Sequence, residues 1–171
     1  EEEKGLPELF AALIIVIKKF TDVKLTLVGE GNRLKEYKSL VADLNLADHV
    51  EFTGWKTSAE IQNLSGQSSL GVFPSRIESF GLSVIEAMAA TLPVVASRGG
   101  AIPENIKDGV TGKLVPVNNS DALAEAIISV LKDPASAEKK AKAARSVIRQ
   151  KFSWGKAAES TLVLYDETLS K

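Results

Sequence analysis

The sequence predicts an α/β fold, a doubly wound and mostly parallel sheet with helices on both faces, and three observations carry that prediction. Short apolar runs of strand length alternate with segments whose apolar residues recur at helical spacing. Runs such as "VKLTLVG" and "SLGVFPS" close on glycine or proline before the next helical pattern starts. A chain of 171 residues with 44% hydrophobic content is long enough for one core and should bury roughly 70% of its unfolded surface. Such alternation asks for parallel strands joined by right-handed crossovers, a Rossmann-like order in which ligands bind at the carboxyl ends of the strands.

The elements follow in order. "LPELFAALIIVIKKF" has Pro7 near a helix start, an acid just inside it and lysines at its end, as capping and the macrodipole favour. The strand "VKLTLVG" leads through "GNRLKEYKSLVADLNL", helical in spacing, to the strand "HVEFTG". A weaker helix over 58–64 precedes the strand "SLGVFPS". A helix over 82–90 leads to "LPVVAS", and a glycine-rich turn, "RGGAIPE", leads to "GKLVPV". An amphipathic helix runs from Asn119 or Ser120 to Leu131, with Asp121 near its start. The tail, 134–171, reads as two helices broken around "FSWG". The expectation is one domain over 1–171, an alternating core over about 1–133 and two closing helices beyond it.

Composition removes several classes of function. Lys plus Arg total 21 against Asp plus Glu 22, so no field gathers nucleic acid. There is no cysteine, which excludes thiolate chemistry and fits a reducing, cytoplasmic setting. The one histidine, His49, cannot build a multi-histidine metal site, and it lies at a strand entrance with no nucleophile elbow near it. The longest uninterrupted apolar run, 10–17, is far short of the ~20 residues of a membrane helix. The first residues, "EEEKGLPELF", are acidic where a secretory signal is basic and lack an initiator methionine, which reads as a piece of something longer. "GEGNRL" begins like a dinucleotide fingerprint but has Leu34 at the third glycine position; Gly29 and Gly31 read as a tight turn after a strand. No D-x-D occurs to hold a divalent metal on a diphosphate.

What remains is "PSRIESFGLSVIEAM". Glu86 is the only ionisable side chain between Leu82 and Ser97, and an unpaired buried carboxylate is costly, so it must reach water, a cation or a donor. Gly81 just before the helix lets backbone approach a ligand, and the first helical amides are free donors suited to a phosphate. Spacing alone leaves two readings open. Glu78 is an exposed loop acid and Glu86 a favourable first-turn glutamate, or both accept hydrogen bonds from sugar hydroxyls on either side of a bound diphosphate.

The stretch from "FPSRIESFGLSVIEAM" to "GKLVPV" resembles the carboxyl-terminal donor domain of retaining glycosyltransferases of the GT-B architecture, in family four, whose signature is E-x7-E. Glu78 and Glu86 match it with "SFGL" in place, and "LTLVGEGNRLKEYKSL", "VEFTGW", "DALAEAIISVLKDP" and "FSW" fall in family order. The resemblance implies transfer of a hexose-type sugar from a nucleotide diphosphate donor such as a UDP-sugar, with retention and without a metal or other cofactor.

It also implies roles. Glu78 contacts the transferred sugar, and Lys4 neutralises the diphosphate. The backbone of Phe80, Gly81 and Leu82 meets sugar and phosphate, Ser83 adds a donor, and Glu86 holds the ribose. Gly54 and Trp55 lie against the nucleobase. Read without the resemblance, Lys4 is a solvated terminal lysine and Trp55 a packing residue.

Gly99 and Gly100 shape a turn near the cleft. Thr91 stands where the family has glycine, and Ser69 where it has aspartate, both touching packing more than chemistry. The resemblance further implies that a strand, an arginine and a whole acceptor domain precede this stretch, so that the sheet here lacks an interior strand. The chain by itself then binds nucleotide and transfers nothing, and any membrane-surface association runs through the acceptor domain. The segment 154–169 would be left apolar and exposed, with dimerisation as one outlet. Two other readings are a non-catalytic nucleotide-binding or interaction module of the same fold, and a nucleotide-sugar epimerase, which works with histidine in the cleft.

Overall fold

A computed structural model describes residues 2–169. After a 3-10 turn at Glu2–Lys4 the chain alternates as expected through α1 (Leu6–Ile17), β1 (Leu25–Leu27), α2 (Leu34–Asp43), β2 (Val50–Phe52), α3 (Ser58–Gln67) and β3 (Gly71–Phe73). It continues through α4 (Leu82–Ala89), β4 (Val94–Ser97), α5 (Ile102–Asn105), β5 (Lys113–Val115) and α6 (Ser120–Lys132), and closes with α7 (Pro134–Lys151) and α8 (Trp154–Leu169). Every strand pair is parallel.

Local chemistry explains most boundaries. Thr57 and Glu60 form a reciprocal capping box at the start of α3, and the Thr57 hydroxyl and amide hold the Glu60 carboxyl below its ordinary range. Asn119 caps α6 by accepting from the Ala122 amide at 2.9 Å, and Asp133 caps α7 from the Ser136 amide at 3.0 Å. Two elements differ from expectation. α3 runs on past Leu64 to Gln67, where Gln67 bonds Asn63 and the Ser68 hydroxyl closes on the Leu64 carbonyl. The turn "RGGAIPE" contains the one-turn helix α5, tolerated because Pro103 falls in its first turn, where no amide is needed.

Helices cover both faces, and successive strand residues address them alternately. Phe73, Val94, Ala96 and Leu114 face one core, with Val84, Met88 and Ile102 and with Ala144 and Ile148 of α7. Val72, Val95 and Val115 face the other, with Leu9 and Val16 of α1 and Leu123 and Ile127 of α6. A third cluster joins Phe10 and Leu13 of α1 to Tyr37, Val41, Val50 and Phe52, with Phe10 and Tyr37 edge to face.

The hydrogen-bonded strands form two ladders, one of order β1-β2 and another of order β3-β4-β5. β4 is buried along its whole length, whereas β1 and β3 are only partly covered. α8 is exposed along the residues whose side chains are described, with Leu162, Leu164 and Tyr165 each about three-fifths exposed. No helix among the described residues is long and apolar enough to cross a membrane.

Candidate functional site

The stretch that leaves β3 is held from two sides. On one side lies the start of α1. The Arg76 amide donates to the Glu3 carbonyl at 2.6 Å, the Lys4 ammonium donates to Glu78 Oε2 at 2.9 Å, and the Arg76 guanidinium meets Glu8 Oε1 at 2.5 Å. Gly5, at φ +67°, packs so closely that a Cβ there would overlap the Pro74 carbonyl. On the other side lies the turn after β4, whose glycines were expected near the cleft. Side chains at Gly99 and Gly100 would run into the backbone of Ser75, Arg76 and Glu78, and the Ala101 amide donates to the Glu78 carbonyl at 2.8 Å.

Beyond Glu78, buried Asn105 donates from Nδ2 to the Phe80 carbonyl at 2.6 Å. Gly81, at φ +81°, then starts α4 with no side-chain cap. The first helical bond runs from the Ile85 amide to the Gly81 carbonyl, so the amides of Leu82, Ser83 and Val84 have no acceptor within the helix. Leu82, Ser83 and Glu86 lie on the exposed stripe of α4, opposite buried Val84, Ile85, Ala87 and Met88. Glu86 therefore reaches water, and the lone charge of an apolar helix is explained by the face it occupies. Among the described residues no side-chain bond holds its carboxylate.

The structure thus brings Lys4, Glu78, Phe80, Gly81, Leu82, Ser83 and Glu86 to one loop and helix start. Phe80 and Leu82 are 51% and 59% exposed, which leaves both open to a ligand rather than spent on the core. Phe80 also meets Phe152 edge to face at 5.6 Å, so the junction of α7 and α8 touches the same loop. Gly54 and Trp55 stand apart, at the carboxyl end of β2. The Gly29 amide donates to the Gly54 carbonyl at 2.8 Å, and the Trp55 amide approaches Glu30 Oε1 at 3.4 Å. The Trp55 ring is 68% exposed, which rules out a packing role, and among the described residues no hydrogen bond or ion pair joins it to the Glu78 group. His49 lies at the opposite, amino end of the strands, with Nδ1 2.9 Å from the Val23 carbonyl.

Sequence reasoning missed Glu8, Arg76 and Asn105. Glu8 follows Lys4 by four residues and Arg76 precedes Glu78 by two, spacings visible in the sequence. For Asn105 the only signal was an amide side chain beside apolar Ile106.

The sequence profile of the family described as "Glycosyl transferases group 1" matches residues 1–147. The chain belongs to this family of glycosyltransferases. It is 33% identical over 165 residues to a glycogen synthase of Mycobacterium tuberculosis, covering 96% of this chain and 40% of that protein. Among solved structures, Alr3699/HepE of Anabaena in complex with UDP and glucose superposes with a TM-score of 0.84 at 28% identity, covering 99% of this chain and 46% of that one. The C-terminal domain of the group 1 glycosyltransferase LpcC from Francisella tularensis superposes with a TM-score of 0.80 at 29% identity, covering 90% and 82%. The chain spans less than half the length of the first curated glycosyltransferases it matches.

Proposed function

We propose that this chain is the donor-binding domain of a glycosyltransferase that moves a hexose-type sugar from a nucleotide diphosphate donor to an acceptor with retention of configuration. The observation that carries it is the way two helices begin. α3, α6 and α7 have side-chain caps and α2 and α5 start uncapped on Arg33 and Ala101, whereas α1 and α4 start uncapped on the left-handed glycines Gly5 and Gly81, next to the Lys4–Glu78 pair. Unfilled amides and an ammonium group, with two carboxylates nearby, suit a ligand that carries phosphate and hydroxyls together.

In this reading Lys4 and the first amides of α4, with the Ser83 hydroxyl, neutralise the diphosphate. Glu78 and the backbone of Phe80, Gly81 and Leu82 hold the sugar, and Glu86 accepts from the ribose hydroxyls. Gly54 and exposed Trp55 face the base. The acceptor hydroxyl attacks from the face the leaving group departs, giving its proton to the departing phosphate oxygen. Rate enhancement then rests on charge stabilisation and positioning, with no metal called for. The acceptor is held by a second domain, and α8 offers its apolar face to that domain or to a second copy. An epimerase is disfavoured by His49, which lies at the far end of the strands.

Titration calorimetry with UDP and UDP-glucose tests the reading. The chain binds both and transfers nothing by itself. Glu86→Gln weakens both about 10- to 100-fold, the cost of hydrogen bonds to a charged acceptor. Binding that is indifferent to Glu86→Gln, or turnover by these 171 residues, overturns it.

A further inference from the structure

Two ion pairs join the start of α1 to the loop after β3, and they differ in kind. In Lys4–Glu78 the lysine side chain is 56% exposed and the glutamate 18%, and its two members are those the proposed ligand would engage. In Glu8–Arg76 the glutamate is 17% and the arginine 34% exposed, and neither is among the residues assigned to the ligand. The Glu8 Oε2 and Arg76 Nε atoms are buried without a hydrogen-bond partner among the described residues. A shielded pair left partly unsatisfied is a poor source of stability, because desolvation offsets its attraction and an apolar pair of similar volume would serve as well. What it does supply is geometry. Glu8 stands in the first turn of α1, just past Lys4 and the left-handed Gly5, Arg76 stands two residues before Glu78, and the Arg76 amide already bonds the Glu3 carbonyl.

From this we infer that Glu8 and Arg76 are positioning residues, which hold the Lys4 ammonium beside Glu78 at the place where the diphosphate of the donor binds. The inference rests on the nucleotide-sugar reading above. When the donor arrives, Lys4 and Glu78 give up their mutual bond for phosphate and sugar. Glu8–Arg76 stays closed and keeps the two segments in register, as a supporting shell does for a site whose groups must not wander.

The test replaces the pair by apolar side chains, Glu8→Leu with Arg76→Met, and measures UDP and uridine affinities with the thermal midpoint. The expected result is an unchanged midpoint, UDP affinity lower by about tenfold, the lower end of what orienting partners contribute, and uridine affinity unchanged. In a Lys4→Met background the same replacement costs nothing further, because the group it positions is gone. Should the apolar pair not fold, Arg76→Lys keeps the charge without the planar fork and gives an intermediate UDP affinity. UDP affinity equal to that of the unaltered chain overturns the inference and leaves the nucleotide-sugar reading standing. Parallel losses for UDP and uridine show a merely structural pair and also overturn it. Failure of the unaltered chain to bind UDP overturns both.

Discussion

The two ends of α4 are built on opposite plans. Its amino end starts at Gly81 with no cap, leaves three amides open, and depends on other parts of the chain to hold the loop before it. Its carboxyl end satisfies itself. The Leu92 amide reaches the Ala87 carbonyl at 3.0 Å and the Thr91 amide the Met88 carbonyl at 3.1 Å, a Schellman motif with Thr91 in the left-handed position at φ +63°. A helix end can therefore be finished locally at the cost of some strain, or left open and steadied from outside. The open plan is found beside the carboxyl ends of the strands, the closed one at the far end of the same helix.

The sharpest way to break the contrast is to remove the outside support. Gly100 has φ +55°, and a Cβ there would strike the backbone of Glu78 rather than a side chain that could turn away. Gly100→Ala must adopt a left-handed corner and push the loop aside, so we expect a loss of about 3 kcal/mol or more. For a domain of this size that lowers the thermal midpoint by roughly 6 to 12 °C. UDP binding falls with it, since the loop that leads into the open amides of α4 moves. A midpoint within a degree or two of the parent would mean that the loop does not need the turn after β4.

Removing a single polar contact should do less. Asn105→Ala deletes the bond to the Phe80 carbonyl and leaves that carbonyl to find water at the rim, for about 1 to 2 kcal/mol in chemical denaturation. The loss of UDP affinity should exceed what the stability change implies, because the peptide before Gly81 aims the first amides of α4. Equal UDP affinity with reduced stability would place Asn105 outside the site.

These contacts mark the boundary of what the sequence discloses. The parallel α/β order was legible because each strand is a short apolar run and each helix carries its own period. Glu78, Glu86 and "SFGL" were legible because spacing along the chain fixes their relation through one loop and one helix. Asn105 and the Glu8–Arg76 pair were not, since their partners lie 25 and 68 residues away and become neighbours only when β3, β4 and α1 assemble. Burial was legible only in part. The sequence requires Glu86 to reach water, a cation or a donor without saying which, and the exposed stripe of α4 gives it water. The division of the strands into two ladders was not legible from any local pattern, because no strand's own residues say what lies beside it.

The smallest expected effect lies at the closed end, and it has the opposite sign. Thr91 is β-branched, a type that seldom adopts a left-handed backbone, and the family resemblance puts glycine at this position. Among the described residues its side-chain hydroxyl has one hydrogen bond, a long 3.4 Å approach from Arg145, exposed and too weak to account for the strain. Thr91→Gly removes about 1 to 2 kcal/mol of left-handed strain and adds back roughly 0.5 to 1 kcal/mol through the greater freedom of the unfolded chain. The net is a gain of up to about 1.5 kcal/mol, visible as a midpoint raised by at most roughly 6 °C. The Schellman bonds are backbone to backbone and survive the change, and UDP affinity stays the same because the open end of α4 is untouched. A lower midpoint would show that Arg145 or the Thr91 methyl supports the corner more than the geometry indicates. An altered UDP affinity would show that the two ends of α4 are coupled, contrary to the division drawn above.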